Sequence, residues 1–356
     1  MRSALINTLV SLVSILVGFV GAEIGVRLLG NGGTLWEFRN YVSDQEQWTG
    51  RWHVMRPDPT LGYVPNPGYS GEDQQFQQSF GADGMRLHNK GQKPPSDALP
   101  PVLVVGDSYA FGAQVGDDAA WPAFLETALG RRVLNAAVAG YGIDQVVLRA
   151  ELLVPKFESA TLLVGMIADD VDRARMRILW GLEKPYFEID NGRLVLRNVP
   201  LPAPQLDPRP DLLRRVLGYS YLMDVAMRRL GYMPWWRRGQ PSQIVPAHDY
   251  GDKVACLLMD RLAALRDRDH VRVVLVAQYS RQTWEAEHFR RNEVAVVQAV
   301  AACAKARGIE TIDTFAAVAE AVRAHGIAGN YGGTHMNAAG NRLTADVIAR
   351  WLEAHP

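Results

Sequence analysis

From Pro101 onward, short apolar runs alternate with longer amphipathic ones. The apolar runs are Val102 to Val105, Val133 to Val138, Thr161 to Ile167, Val271 to Ala277 and Glu310 to Thr314. Between and after them, Trp121 to Leu129, Gln145 to Leu153, Lys253 to Leu265, Glu287 to Ala306 and Ala338 to Leu352 carry the spacing of helices with one buried face. Apolar strands alternating with helices predict an α/β fold: a doubly wound, five-stranded parallel sheet in three layers, its strands buried on both faces. One block, from about 171 to 250, interrupts the rhythm. Within it, Lys184 to Val199 reads as a hairpin turning at Asn191-Gly192, and a helix is expected near Asp211 to Leu230, followed by Trp235 and Trp236.

The N-terminus shows no periodicity of this kind. Ser3 to Ala22 is a run of 20 uncharged residues. As a helix rising about 1.5 Å per residue, it spans the roughly 30 Å hydrocarbon core of a bilayer. Residues 1–29 are therefore an anchor or a signal segment. The small residues Val20-Gly21-Ala22 suit cleavage, whereas the helical pattern continuing from Glu23 to Leu29 favours an uncleaved anchor. Both place the body outside the cytoplasm, and the anchored form sits in the inner membrane with its domain in the periplasm or outside the cell. Residues 30–100, broken by Pro57, Pro59, Pro65, Pro67, Pro94 and Pro95, form an extended wrapping segment that leads to a main domain at 101–356.

Charge changes this picture little overall and more locally. With 38 basic and 38 acidic residues, the chain has no global attraction for nucleic acid or anionic lipid. Asp172 to Arg238, however, holds 13 Lys and Arg against 7 Asp and Glu, either a solvated insertion or a lid that meets an acidic or carbohydrate ligand. Tyr186, Phe187, Trp235 and Trp236 are candidates there for stacking on sugar rings. Cys256 and Cys303 sit in helix-like apolar patterns and read as buried core thiols, although the compartment permits a disulfide.

The candidate chemistry lies at strand ends. Val102 to Ser108 takes a buried strand through Gly106-Asp107 to a serine where a helix begins. Such a turn lifts the hydroxyl above the sheet and sets it beside backbone N–H groups that favour developing negative charge. Gly140, after the second run, can aim its N–H at an oxyanion. Asp169 and Asp170 follow the third run, and His335 lies on a loop before the last helix. Serine early and histidine late, at one edge of a sheet, fit a nucleophile and its base.

These four segments, in this order, resemble the SGNH (GDSL-type) hydrolase superfamily over roughly residues 101 to 353, apart from the interrupting block. The resemblance implies a flavodoxin-like sheet, Ser108 as nucleophile, His335 as base, and an oxyanion hole from the Ser108 and Gly140 N–H groups. It implies no cofactor and no metal. Two positions depart from the family pattern. Asp169 stands where the family has a hole-forming Asn, and a carboxylate there opposes an oxyanion. Gly332 stands where the triad acid is expected, leaving Asp313, after the last run, as the candidate substitute.

With the anchor, and with Gly62-Tyr-Val and Gly81 to Arg86 ahead of the serine, the chain also resembles bacterial envelope members of the superfamily. That implies an acylated carbohydrate or small ester as substrate, resolved by water or by transfer to a sugar, and a multi-spanning membrane acyltransferase as partner. An inactive polysaccharide-binding or scaffold protein of the same fold is the competing reading. A metal-dependent hydrolase built on Asp169, Asp170 and Asp172 is a third, and it lacks a histidine nearby.

Overall fold

The computed structural model describes residues 2–30, 35, 39–42, 51–73, 75–89, 99–202, 210–238 and 243–356. Pro94 and Pro95, and much of the expected wrapping segment, lie outside the described residues. The chain divides into two compact units. The larger comprises 52–177, 183–203 and 246–356; the smaller comprises 1–51, 178–182 and 204–245.

The larger unit is built on five parallel strands: β1 (Val102–Val105), β2 (Val133–Asn135), β3 (Thr161–Met166), β4 (Arg272–Ala277) and β5 (Glu310–Asp313). Their order across the sheet is β2-β1-β3-β4-β5, and every pairing is parallel. This is the flavodoxin-like order, whose topological switch point lies between β1 and β3, where open α/β sheets bind their ligands. All four residues of β1 and Leu162, Leu163 and Val164 of β3 are wholly buried, which is why these strands read as unbroken apolar runs. The strands end in close contact: a Cβ on Gly106 would meet Ala110 Cβ at 2.5 Å and the Gly165 carbonyl oxygen at 3.0 Å. Glycine at 106 thus lets the turn carrying Ser108 pack against the end of β3.

The helices sort into two packed groups. Trp121–Leu129, Ala338–Ala354 and Phe315–Asn330 form one; Ile143–Phe157, Gly251–Asp269 and Glu287–Ala306 form the other. In the second group Cys256 and Cys303 are joined by a disulfide, with Cα atoms 5.3 Å apart. The two cysteines are therefore not core thiols; each is half-buried, where facing helix surfaces meet.

Ahead of the sheet, two antiparallel pairs occur, Met55–Asp58 with Gly62–Pro65 and Ser70–Asp73 with Phe76–Ser79. The expected hairpin is present as Tyr186–Asp190 paired with Arg193–Arg197, turning through Asn191 and Gly192 at φ 49° and 76°. Beneath it, buried Lys184 is paired with buried Asp144, and its ammonium also donates to the Pro185 carbonyl at 2.9 Å.

In the smaller unit the N-terminal helix runs unbroken from Arg2 to Leu29, and Ile6–Leu29 is long and apolar enough to cross a membrane. Ile6, Leu9, Val13, Leu16 and Val20 are all exposed. The helix expected near Asp211 to Leu230 is two helices, Leu212–Leu217 and Tyr221–Arg229. Ser220 breaks it: its backbone is extended, and its hydroxyl accepts from Met223 N to begin the second helix. Glu23 of the N-terminal helix completes that start. Its carboxylate accepts from Ser220 Oγ (2.8 Å), Tyr221 N (2.8 Å) and Leu222 N (2.9 Å), and Arg27 braces it at 2.6 Å.

Candidate active site

The turn after β1 is held from behind. Arg86, almost wholly buried, donates to the carbonyls of Phe111 (2.8 Å), Gly112 (2.7 Å) and Val115 (2.7 Å) and pairs with Asp117 at 3.1 Å. The Gly81 to Arg86 stretch noted in the sequence thus pins the short helix Ser108–Phe111 at its C-terminal end. At its other end, Asp107 caps it by accepting from Tyr109 N at 2.9 Å. Gly112 closes it in the left-handed region at φ 84°.

Ser108 and His335, 227 positions apart, meet there: Ser108 Oγ lies 2.9 Å from His335 Nε2. A second acceptor, Asp107 Oδ2, stands 3.2 Å from the same hydroxyl, so its single proton serves one partner at a time. On the far side of the imidazole, Nδ1 is 3.0 Å from Thr334 Oγ1. When Nδ1–H donates to that hydroxyl, Nε2 is left as the acceptor, the tautomer a general base needs. Burial pushes the His335 pKa below its ordinary value; Asp107 pulls it up, Arg173 pushes it down and Asp169 pulls it up. The ring is therefore a neutral base at pH 7.

Asp313 is not brought to the histidine. Its carboxylate accepts from Phe315 N at 2.9 Å, at the start of the helix after β5. Among the described residues no acid meets Nδ1, where Thr334 Oγ1 stands instead, and the loop is held through its backbone. Gln114 Oε1 accepts from Thr334 N (3.0 Å) and His335 N (3.2 Å). Arg281 Nη1 donates to the carbonyls of Gly332 and Gly333, each at 2.8 Å. Tyr109 donates its hydroxyl to the Thr334 carbonyl at 2.9 Å, with its ring centroid 5.2 Å from that of His335. Burial, then the neighbouring Tyr331, holds the Tyr109 phenol well above its usual pKa, so it remains a donor. Gln114, Tyr109 and Arg281 escaped the sequence reading. Arg281 follows the carboxyl end of β4 by four residues, a location that by itself marks a position worth inspecting.

Of the expected oxyanion residues, Ser108 and Asp169 line the cleft beside His335, whereas Gly140 is buried and is not among the lining residues. Among the described residues, neither the Ser108 N–H nor the Gly140 N–H has a partner in the protein. Gly140 adopts φ 85°, which favours glycine. Asp169 lies on the rim with a mostly exposed carboxylate, 3.5 Å from Arg173 Nη2. Arg173 Nη1 reaches inward to Asp170 Oδ1 (2.8 Å), Tyr141 O (3.2 Å) and Asp107 Oδ2 (3.4 Å). Burial first, and then Asp107, push the Asp170 carboxyl well above the usual range. Burial draws Arg173 down, but Asp170, Asp107 and Asp169 outweigh it and hold the guanidinium above its ordinary value.

Beside Ser108 and His335 opens a cleft of about 510 Å³. Its walls come from the ends of β1 (Ser108, Tyr109), β3 (Ile167, Asp169, Arg173) and β4 (Ser280, Arg281, Gln282, Glu285), and from Gly333, Thr334 and His335. None of the proposed stacking residues lines it. Trp236 is wholly buried, its indole donating to Asp224 at 2.9 Å, and so presents no face to a sugar. Trp235 packs on Trp236 at 6.0 Å, and Tyr186 lies half-buried in the hairpin. Among the described residues, no group of three or more His, Cys, Asp or Glu is arranged to hold a metal ion.

No family profile and no curated protein matches the sequence. Solved structures that resemble it include an α/β hydrolase enzyme from the metagenome of Lake Arreo, Spain, at 13% identity and TM-score 0.45, covering 72% of this chain and 97% of that one. A protein of the G-D-S-L lipolytic family from Desulfitobacterium hafniense is similar at 11% identity and TM-score 0.38, covering 70% and 98%. An acetylxylan esterase from Geobacillus stearothermophilus is similar at 15% identity and TM-score 0.41, covering 72% and 95%. At such identities and scores, the chemistry of this chain rests on its own site.

Proposed function

We propose that this protein is a membrane-tethered, extracytoplasmic serine esterase of the SGNH type, acting on acyl esters of carbohydrate through an acyl-Ser108 intermediate. The observation that carries this reading is the 2.9 Å contact between Ser108 Oγ and the depressed-pKa imidazole of His335, at the switch point of a β2-β1-β3-β4-β5 sheet. Ser108 Oγ attacks the acyl carbonyl as its proton passes to His335 Nε2. The carbonyl π pair becomes an oxyanion facing the Ser108 and Gly140 N–H groups. Collapse expels the alcohol, which takes the proton back from His335, and a second nucleophile then releases the acyl group by the same steps.

Several features support the finer parts of the reading. The cleft is walled largely by Asp169, Arg173, Ser280, Arg281, Gln282 and Glu285, a lining suited to a hydroxyl-rich alcohol and short acyl group more than to a lipid chain. The Cys256–Cys303 disulfide fits an oxidising compartment, and the apolar N-terminal helix fits an anchor.

The test is active-site labelling of the full chain in detergent with a fluorophosphonate, together with release of p-nitrophenol from its acetate ester. Labelling and turnover in the wild type, both lost in Ser108→Ala, are expected. A folded wild type that neither labels nor turns over between pH 5 and 9 leaves a non-catalytic binding protein. Adding oligosaccharide to the assay distinguishes transfer from hydrolysis by the appearance of acylated sugar.

A further inference from the structure

The position that should donate to the oxyanion carries Asp169, which cannot do so as a carboxylate, yet one turn later on the same helix a guanidinium enters the cleft. From this geometry we infer that Arg173 is a catalytic residue, the cationic donor of the oxyanion hole, standing in for the amide that Asp169 does not provide. The inference rests on the esterase reading above.

Three observations place Arg173 there. Its Nη1 and Ser108 Oγ share one acceptor, Asp107 Oδ2, at 3.4 and 3.2 Å, so the cation and the nucleophile are close neighbours. The same Nη1 donates to the carbonyl of Tyr141, the residue after Gly140, at 3.2 Å. The guanidinium thus contacts the segments on either side, that of Ser108 through Asp107 and that of Gly140 through Tyr141, to which the esterase reading assigns the hole. Arg173 also lines the cleft while its side chain is only 13% exposed, so water screens it little, and Asp170, Asp107 and Asp169 balance part of its charge.

Its surroundings explain why it stays in place. Asp170, wholly buried, both accepts from Ile167 N at 3.0 Å to start the helix and holds Arg173 Nη1 at 2.8 Å. A donor fixed before reaction needs little reorganisation when charge appears, which is what makes preorganised electrostatics effective. Asp169, at 3.5 Å from Nη2 and mostly exposed, then reads as a rim carboxylate steadying the outer edge of that fork. When Ser108 Oγ bonds the acyl carbon, the electron pair leaving the C=O bond settles on an oxygen facing Arg173, Ser108 N–H and Gly140 N–H. It returns to re-form the carbonyl as the alcohol departs with the proton from His335. Arg173 neither gains nor loses a proton.

The test compares wild type, Arg173→Gln, Asp169→Asn and the double variant Arg173→Gln/Asp169→Asn, as full chains in detergent. The readouts are kcat and KM for an acetate ester and the affinity of a boronic acid that adds to Ser108. Arg173→Gln should lower kcat by about 10²–10³-fold with KM changed by less than about threefold, and weaken the boronic acid in parallel. An amide at 169 should then recover at least about tenfold of the lost kcat in the double variant, a rescue that a merely structural role for Arg173 does not predict. Should Arg173→Gln strand Asp170 and unfold, the same comparison is made in an Asp170→Asn background. A folded Arg173→Gln enzyme with kcat within threefold of wild type overturns the inference, as does a double variant no better than the single one. An inert wild type fails the esterase reading itself, which separates the two failures.

Discussion

The hydroxyl of Thr334 stands 3.0 Å from Nδ1 of His335, occupying the place at which a serine hydrolase histidine usually meets a carboxylate. A hydroxyl can fix the tautomer, but it adds no negative charge against the imidazolium that forms during turnover. Thr334→Val should therefore lower kcat by about tenfold, the worth of one oriented hydrogen bond, with KM unchanged. Thr334→Ser should retain most of the rate. Steady-state kinetics on an acetate ester would check both; an unaffected Thr334→Val enzyme would show that the loop backbone alone orients the ring.

Burial lowers the His335 pKa, and the proposed mechanism uses the neutral ring as its base. Activity should therefore persist as pH falls through the ordinary histidine value near 6.5 and fail only below it, as His335 takes up a proton. Asp169 pulls that pKa upward, so Asp169→Asn should move the acid limb of kcat/KM to still lower pH. A limb at or above about pH 6.5 in the wild type contradicts the assignment of His335 as a buried base.

Gln114 and Arg281 grip the His335 loop through its backbone, and Gly333 lies so close to Gln114 that a Cβ there would sit 2.8 Å from Oε1. Gln114→Leu removes the acceptor from two N–H groups and should lower kcat by about tenfold or more with little change in melting temperature. Gln114→Glu keeps the acceptor and should preserve the rate. Equal losses in the two variants would mean that the amide does something other than hold this loop.

The Cys256–Cys303 bond closes a loop spanning 47 positions between two helices that contribute no residue to the cleft lining. Its removal, as Cys256→Ser/Cys303→Ser, should cost about 2–4 kcal/mol of stability, largely through the freedom regained by the unfolded chain. Denaturant unfolding measures this, and the folded variant should keep its kcat at 25 °C.

Local signals served best where burial is continuous. Val102–Val105, Trp121–Leu129 and Glu287–Ala306 stand at the residues their patterns indicate, because apolar runs bounded by Gly, Pro or charge leave few alternatives. That Ser108 and His335 lie at one edge of the sheet was legible because each belongs to a recognisable segment, and they meet at 2.9 Å. What periodicity cannot convey is which side chain arrives from a distant strand. Arg281 comes from the end of β4 and Gln114 from beyond Gly112, and neither forms a motif with the histidine loop. Asp313 was chosen for its place after a strand, but its carboxylate is occupied by Phe315 N. The cysteines counted as apolar in a helical pattern, which hides the fact that they face each other across two packed helices. Trp236 resembled a ligand platform only because burial of an indole beside Asp224 leaves no trace in sequence.

Glu23 carries a practical consequence for anyone producing this protein. Soluble versions of anchored enzymes are commonly begun just past the hydrophobic helix. Here a start at Gly30 would remove the carboxylate that receives Ser220 Oγ and the first two N–H groups of Tyr221–Arg229, together with the arginine that steadies it. That helix would begin with uncapped donors, and the segment around it would be prone to fray and to proteolysis. A secreted version starting at Glu23 keeps the cap while discarding most of the exposed apolar residues, and it is the better boundary for purification and crystallisation.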